Sequence, residues 1–239
     1  MKAMRWLWLL ITLGLLGYGF YVALYVVPTE ATMGNVQRIF YYHLPSAWLA
    51  FLFFFSNLIA SIVYLVSRRS NPQRALSADA LACASAEMGV IFCTIVLVTG
   101  PLWARPVWGI WWTWDARLTS TLVLWLIYVS YLLLRNFAAG PQMRTLAAVL
   151  AVFAYVDVPI VYMATTWWRT QHPSRVIGGG GLDPSMWPAV WWNLAGWMAW
   201  GLLLTSLRYG AERQSQAIEE GEAQRSINAA LEPSAKGAF

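Results

Sequence analysis

Six apolar runs, each near the length a helix needs to cross a bilayer, constrain this chain more than any other feature. A hydrocarbon core of about 30 Å takes roughly 20 apolar residues in a helix. The runs fall at residues 6–27, 45–66, 80–98, 119–134, 146–165 and 188–207. Inside lipid each backbone N–H and C=O needs an internal partner, and a helix supplies one for all of them. The expectation is therefore an all-α, polytopic membrane helix bundle with six transmembrane helices over residues 1–208. A polar tail, 209–239, has room for a short surface helix but lacks the apolar stripe of a folded unit, and is expected to be flexible. The charged fraction agrees: 11% of the 239 residues, against about 25% in soluble domains. That composition excludes a disordered chain and a disulfide-stapled secreted domain. The formal charge of +5 is scattered without a basic run, so nucleic-acid binding is excluded as well.

The first run follows Lys2 and Arg5 like the core of a signal peptide. It is too long for one and no A-x-A site follows, so it reads as a retained helix. Six spans put both termini on one side. Lys2, Arg5, Arg68, Arg69, Arg74, Arg135, Arg144 and Arg208 fall on that side, and Arg38, Arg105, Arg117, Arg169 and Arg175 on the other. The excess of basic residues makes the termini cytoplasmic. The translocated side carries arginine and no lysine, and arginine is the residue suited to bidentate carboxylate recognition. Cys83 and Cys93 lie about 15 Å apart on one helix, too far to bridge, and read as small core residues.

Both histidines of the chain, His43 and His172, fall on the outer side, His43 just before the Pro45 that opens the second run. Between them in sequence lies a segment with five tryptophans in twelve residues: Trp103, Trp108, Trp111, Trp112 and Trp114. Tryptophan at a span end ordinarily anchors a helix in the interface, which suffices for Trp6, Trp8, Trp48, Trp187, Trp191 and Trp192. A lone interfacial histidine is ordinarily solvated, and Asp115 has the position of a helix cap. Five indoles exceed what one helix end needs. On a helix Trp108, Trp111 and Trp112 share a face. A large planar apolar ligand with anionic groups and a centre that accepts imidazole suits this set. Haem has stacking area for tryptophan, propionates for arginine and iron for histidine.

The segment from Trp108 through Trp111, Trp112, Trp114, Asp115 and Arg117 resembles the WWD motif of the haem-handling proteins of c-type cytochrome biogenesis. Residues 38–48, Arg-Ile-Phe-Tyr-Tyr-His-Leu-Pro-Ser-Ala-Trp, and 167–172, Trp-Trp-Arg-Thr-Gln-His, resemble the histidine segments of its CcmC family. The resemblance covers roughly residues 1–208. It implies that haem b, as transported ligand rather than permanent prosthetic group, is bound at the outer face of a bacterial inner membrane. From there it is passed to the membrane-anchored chaperone CcmE, in a complex with the ABC transporter subunits CcmA and CcmB and the small subunit CcmD. It further implies His43 and His172 as axial iron ligands, with Trp108, Trp111, Trp112, Trp114 and Asp115 as the platform. Arg38 and Arg117 match arginines of the family's motifs. Arg38, Arg105, Arg117, Arg169 and Arg175 are the candidates for the propionates. Residues 178–181, a glycine run, match no family feature.

Two alternatives stand beside this reading. A haem-permeating transporter subunit would need a driving partner, since the chain has no ATP-binding loop, and a polar midplane cavity. A b-type electron-transfer cytochrome would carry histidine within its spans, and none of the six runs contains one. Glu87 and Asp157 lie inside runs three and five, where acids are costly. They read either as neighbouring functional groups or as protonated carboxyls bonded to nearby hydroxyls and carbonyls.

Overall fold

The computed structural model describes residues 2–137, 140–173 and 181–231. Among these there is no strand, and seven α-helices follow one another: α1 (Lys2–Tyr21), α2 (Phe40–Ser67), α3 (Pro72–Trp108), α4 (Ala116–Phe137), α5 (Pro141–Ala154), α6 (Asp157–Trp167) and α7 (Trp187–Leu231). Five helical segments are long and apolar enough to cross a membrane, α5 and α6 together forming one of them. The sixth run opens α7, which packs there against α1, α2 and α3.

Helices α2 and α3 pack along each other because α3 presents small residues. Ala78, Ala82, Cys83, Ser85, Ala86 and Gly89 are buried on it, and small side chains let helix backbones approach closely in lipid. Phe54 of α2 fills the space over Gly89 and stacks on Tyr128 of α4 at 3.8 Å between ring centroids. Phe92 of α3 stacks on Phe53 at 5.7 Å and meets Trp200 of α7 edge-on at 5.8 Å. Cys83 and Cys93 are buried and free.

Four elements differ from what periodicity suggests. Helix α2 begins five residues before Pro45, behind a 3₁₀ turn over Asn35–Ile39. Pro45 has no N–H for the carbonyl four residues back, and Ser46 Oγ donates to the next carbonyl, Tyr42 O, at 2.7 Å. His43 thus stands on a helix, not on a loop, inside the apolar segment Asn35–Ser67. Helix α3 starts where Asn71 Oδ1 accepts from Arg74 N at 3.0 Å, with Pro72 at the first helical position. It runs on through Pro101 and Pro106 to Gly109, whose φ of 80° ends it. That left-handed conformation suits glycine. The fifth span is broken at Tyr155 and Val156, directly before Asp157 opens α6 with Pro159 in its first turn. Above the break α6 packs on α4, whereas α5 packs on both α2 and α4.

The fourth difference is the tail. Helix α7 continues without interruption from its apolar half to Leu231. Gln216, 1% exposed, donates to Leu76 O at 3.1 Å and to Asp79 Oδ2 at 3.0 Å. Arg135 pairs with Asp79 at 2.6 Å and with Glu212 at 2.9 Å, and Arg144 with Asp79 at 3.5 Å and Glu219 at 2.5 Å. Residues 209–219 are thereby docked on α3, α4 and α5 at the end of the bundle away from the histidines. Residues 232–239 lie outside the described residues.

Candidate haem-binding cleft

The site is an open cleft at one end of the bundle. Its walls come from the start of α2, the last four turns of α3, the start of α4, the end of α6 and the segment after it. Across the break in span five the packing on α4 continues while the extensive packing on α2 stops at α5, and the cleft lies between α2 and α6. Its floor is apolar: Phe51, Leu97 and Leu124 line it.

His43 and His172 both face this cleft, with ring centroids 6.5 Å apart and planes inclined at 36°. Two imidazoles sharing one metal ion stand at about this separation, since two metal–nitrogen bonds of about 2 Å each plus two ring radii come to roughly 6 Å. His43 Nδ1 meets Thr99 Oγ1 at 2.9 Å, and His172 Nδ1 meets Pro173 O at 2.9 Å. In both rings the hydrogen bond engages Nδ1 and leaves Nε2 for a ligand in the cleft. Burial, then the Arg117 guanidinium, push the His172 imidazole below its usual value, against the Pro173 carbonyl and Asp115. It is neutral at neutral pH, the form that binds metal.

The Trp-rich segment is not helical where the platform was expected. After Gly109 the chain is irregular through Asp115, because the left-handed glycine terminates α3 before the second pair of indoles. Trp108, Trp111 and Trp112 therefore do not share a helix face. Trp108 and Trp112 line the cleft, together with Trp103. Trp111 and Trp114 are 56% and 76% exposed and do not line it. Trp103 stands edge-on to Trp108 at 5.3 Å, and Trp112 edge-on to Trp114 at 5.7 Å. The Nε1–H groups of Trp103 and Trp112 are buried with no hydrogen-bond partner among the described residues.

Asp115 caps α4. Its Oδ1 accepts from Arg117 N at 2.9 Å and Leu118 N at 3.1 Å, and Thr113 Oγ1 donates to its Oδ2 at 2.8 Å. Burial opposes ionisation, but these bonds and one from Thr170 outweigh it and hold the carboxyl below its usual value. The cap sets Arg117 at the first turn, where its guanidinium lines the cleft and donates to Val161 O and Tyr162 O of α6. The other arginines do not converge there. Arg38 is engaged by Ala23 O at 2.5 Å, Thr29 Oγ1 and Asn35 Oδ1 at 3.1 Å each, tying the segment after α1 to the start of α2. Arg105 donates to Gly109 O at the end of α3. Arg169 is exposed. Arg175 and residues 178–180 lie outside the described residues.

Gly100 and Trp48 line the cleft, and Thr99 bonds His43, without having been singled out for it. Trp48 lines the wall and sits 6.0 Å from Trp191, so it serves the cleft rather than the lipid interface. Glu87 and Asp157 are not partners. Glu87 accepts from Arg208 Nε at 2.8 Å at each oxygen, an ion pair. Asp157 opens α6, with Oδ2 unpaired among the described residues.

The residues present suit haem: an apolar floor, an arginine and, among the described residues, two imidazoles with Nε2 unengaged and two indole N–H groups without acceptors. Comparison with known proteins points the same way. A family model described as "Heme exporter protein C" matches residues 1–228. The chain is 32% identical over 204 residues to the heme exporter protein C of Escherichia coli K12, covering 85% of this chain and 75% of the relative. It is 37% identical over 178 residues to that of Bradyrhizobium diazoefficiens, covering 73% and 65%. A ccmC-like mitochondrial protein of cytochrome c biosynthesis from Arabidopsis thaliana is 30% identical over 226 residues, covering 92% and 82%.

Proposed function

This chain belongs to the CcmC family, and from that premise we propose that it binds haem in the cleft and hands it on during c-type cytochrome maturation. The family supports a role in haem handling for cytochrome c biogenesis. The finer reading is that haem b is cargo, held at the outer face of the inner membrane with both termini cytoplasmic. The recipient is the chaperone CcmE, in a complex with CcmA, CcmB and CcmD.

The observation that carries this reading is the pair of imidazoles 6.5 Å apart across one apolar cleft. His43 and His172 hold the iron through Nε2. Arg117 and the indole N–H groups of Trp103 and Trp112 face the propionates. Trp108 packs against the porphyrin. The two histidines are held differently: His43 on α2, braced against α3, and His172 on an irregular segment whose ring bond is to the next residue. Irregular segments open more readily than packed helices, so His172 is the ligand that yields when cargo leaves. A b-type cytochrome holds both ligands in packed helices, and here one of the two stands outside any helix.

The test is the absorption spectrum of the detergent-purified, haem-loaded protein. The low-spin spectrum of two imidazole ligands is expected. It becomes five-coordinate or is lost in His43→Ala and in His172→Ala, and binding collapses in the double variant. An unchanged spectrum in the double variant refutes the ligand assignment.

A further inference from the structure

We propose that Thr99 is a positioning residue for iron ligation, holding His43 in the tautomer that directs Nε2 into the cleft; this rests on the reading of His43 as a ligand. Thr99 lies on α3, two helical turns before its end at Trp108, and its hydroxyl has two close partners. Oγ1 is 2.6 Å from Ile95 O and 2.9 Å from His43 Nδ1. A hydroxyl has one proton to donate, and a carbonyl oxygen only accepts. The proton therefore goes to Ile95 O. What Oγ1 offers the imidazole is a lone pair, so His43 Nδ1 is the donor and carries the ring proton. Nε2 is left with its lone pair free.

The result is a relay, from His43 Nδ1–H to Thr99 O–H to Ile95 C=O, that joins α2 to the backbone of α3. The ring also lies against Gly100, next along α3, where a Cβ would stand in ordinary contact with His43 Cε1 at 3.6 Å. His172 shares the tautomer, since Pro173 O likewise only accepts. Its bond stays within one residue, whereas the His43 bond crosses between two packed helices. Thr99 thus distinguishes the fixed ligand from the yielding one. An imidazole that donates from its far nitrogen is also a more basic metal ligand, and removing such a partner typically lowers affinity 10- to 100-fold.

The experiment compares Thr99→Val, Thr99→Ser and His43→Ala in the full-length protein in detergent, loaded with haemin. The readouts are the haem dissociation constant, the absorption spectrum and the midpoint potential of the bound haem. Thr99→Val keeps the shape and loses the relay. It is expected to weaken binding about 10- to 100-fold and to raise the potential, because a less basic imidazole stabilises ferric iron less. Thr99→Ser restores both. If valine prevents insertion, Thr99→Ala gives the same contrast without added bulk. Wild-type affinity and potential in Thr99→Val or Thr99→Ala, with the spectrum lost in His43→Ala, overturn the role of Thr99 alone. An intact spectrum in His43→Ala removes the ligand reading, and this proposal with it.

Discussion

Replacing Asp79 by Asn strikes the end of the bundle away from the cleft. Asp79 is 2% exposed and accepts from Arg135 at 2.6 and 3.0 Å and from Gln216 at 3.0 Å, with Arg144 3.5 Å away. Asparagine keeps the shape but removes the charge that two buried guanidinium groups face. Breaking a buried ion pair from one side costs about 3–5 kcal/mol. Arg135 retains Glu212 and Arg144 retains Glu219, so the lower figure applies, about 3 kcal/mol. At 1.4 kcal/mol per factor of ten that is roughly a 100-fold shift. The shift falls on the docking of residues 209–219, since Gln216, Glu212 and Glu219 all reach this cluster from α7. Hydrogen–deuterium exchange of the detergent-solubilised protein reads it directly: amides of 209–219 are expected to lose about 100-fold in protection. The haem spectrum is expected to stay unchanged, because 20 residues of α3, about 30 Å of helix, separate Asp79 from Thr99. Unchanged protection of 209–219 in Asp79→Asn would refute the docking energetics. A haem spectrum altered as strongly as by a histidine variant would refute the separation of the two ends.

Two further expectations concern the cleft. Trp112→Phe removes a buried, unpartnered N–H at the cleft wall and is expected to weaken haem binding about fivefold, the ~1 kcal/mol of one net hydrogen bond. Trp114→Phe, at a side chain 76% exposed, leaves binding within twofold, and equal losses in the two variants would count against the division of the indoles. The Asp115 carboxyl is held below its usual value in the fold. Its charge therefore stabilises the folded state above the unfolded value of about 3.9, and that contribution disappears as pH falls through the lowered value. Asparagine also caps helices well, so Asp115→Asn isolates the charge. Its thermal unfolding is expected to lie below wild type at pH 7 and to converge with it in acid; a gap independent of pH would contradict this.

The helical bundle was legible because its cause is local. A run of twenty apolar residues has few options in lipid, and this holds for each run whatever its neighbours do. The convergence on one end of the bundle was legible too, from the positions of His43 and His172 just outside their runs. Where the reading of the Trp-rich segment departed from the structure, the reason is also local. Spacing alone put Trp108, Trp111 and Trp112 on one helix face, but Gly109 stops the helix between the first and the other two. The tail shows the opposite failure. It has no apolar stripe, so its helix from 209 to 231 gains nothing from burying hydrocarbon; it is held by Gln216, Glu212 and Glu219 against residues more than 70 positions earlier.

What the order of residues determined by itself is a membrane-embedded helical chain with imidazoles, indoles and guanidinium groups near one end, since hydropathy and residue type act over a few neighbouring positions. Only the tertiary structure decided that the two imidazoles face each other at 6.5 Å. It likewise decided that Trp103 and Trp112 turn inward while Trp111 and Trp114 turn out, that Arg117 alone of the described arginines lines the cleft, and that Thr99 reaches His43. Each of those depends on how α2, α3, α4 and α6 sit against one another, across 56 residues in the case of Thr99 and His43. Packing of that range leaves no periodic trace in the chain.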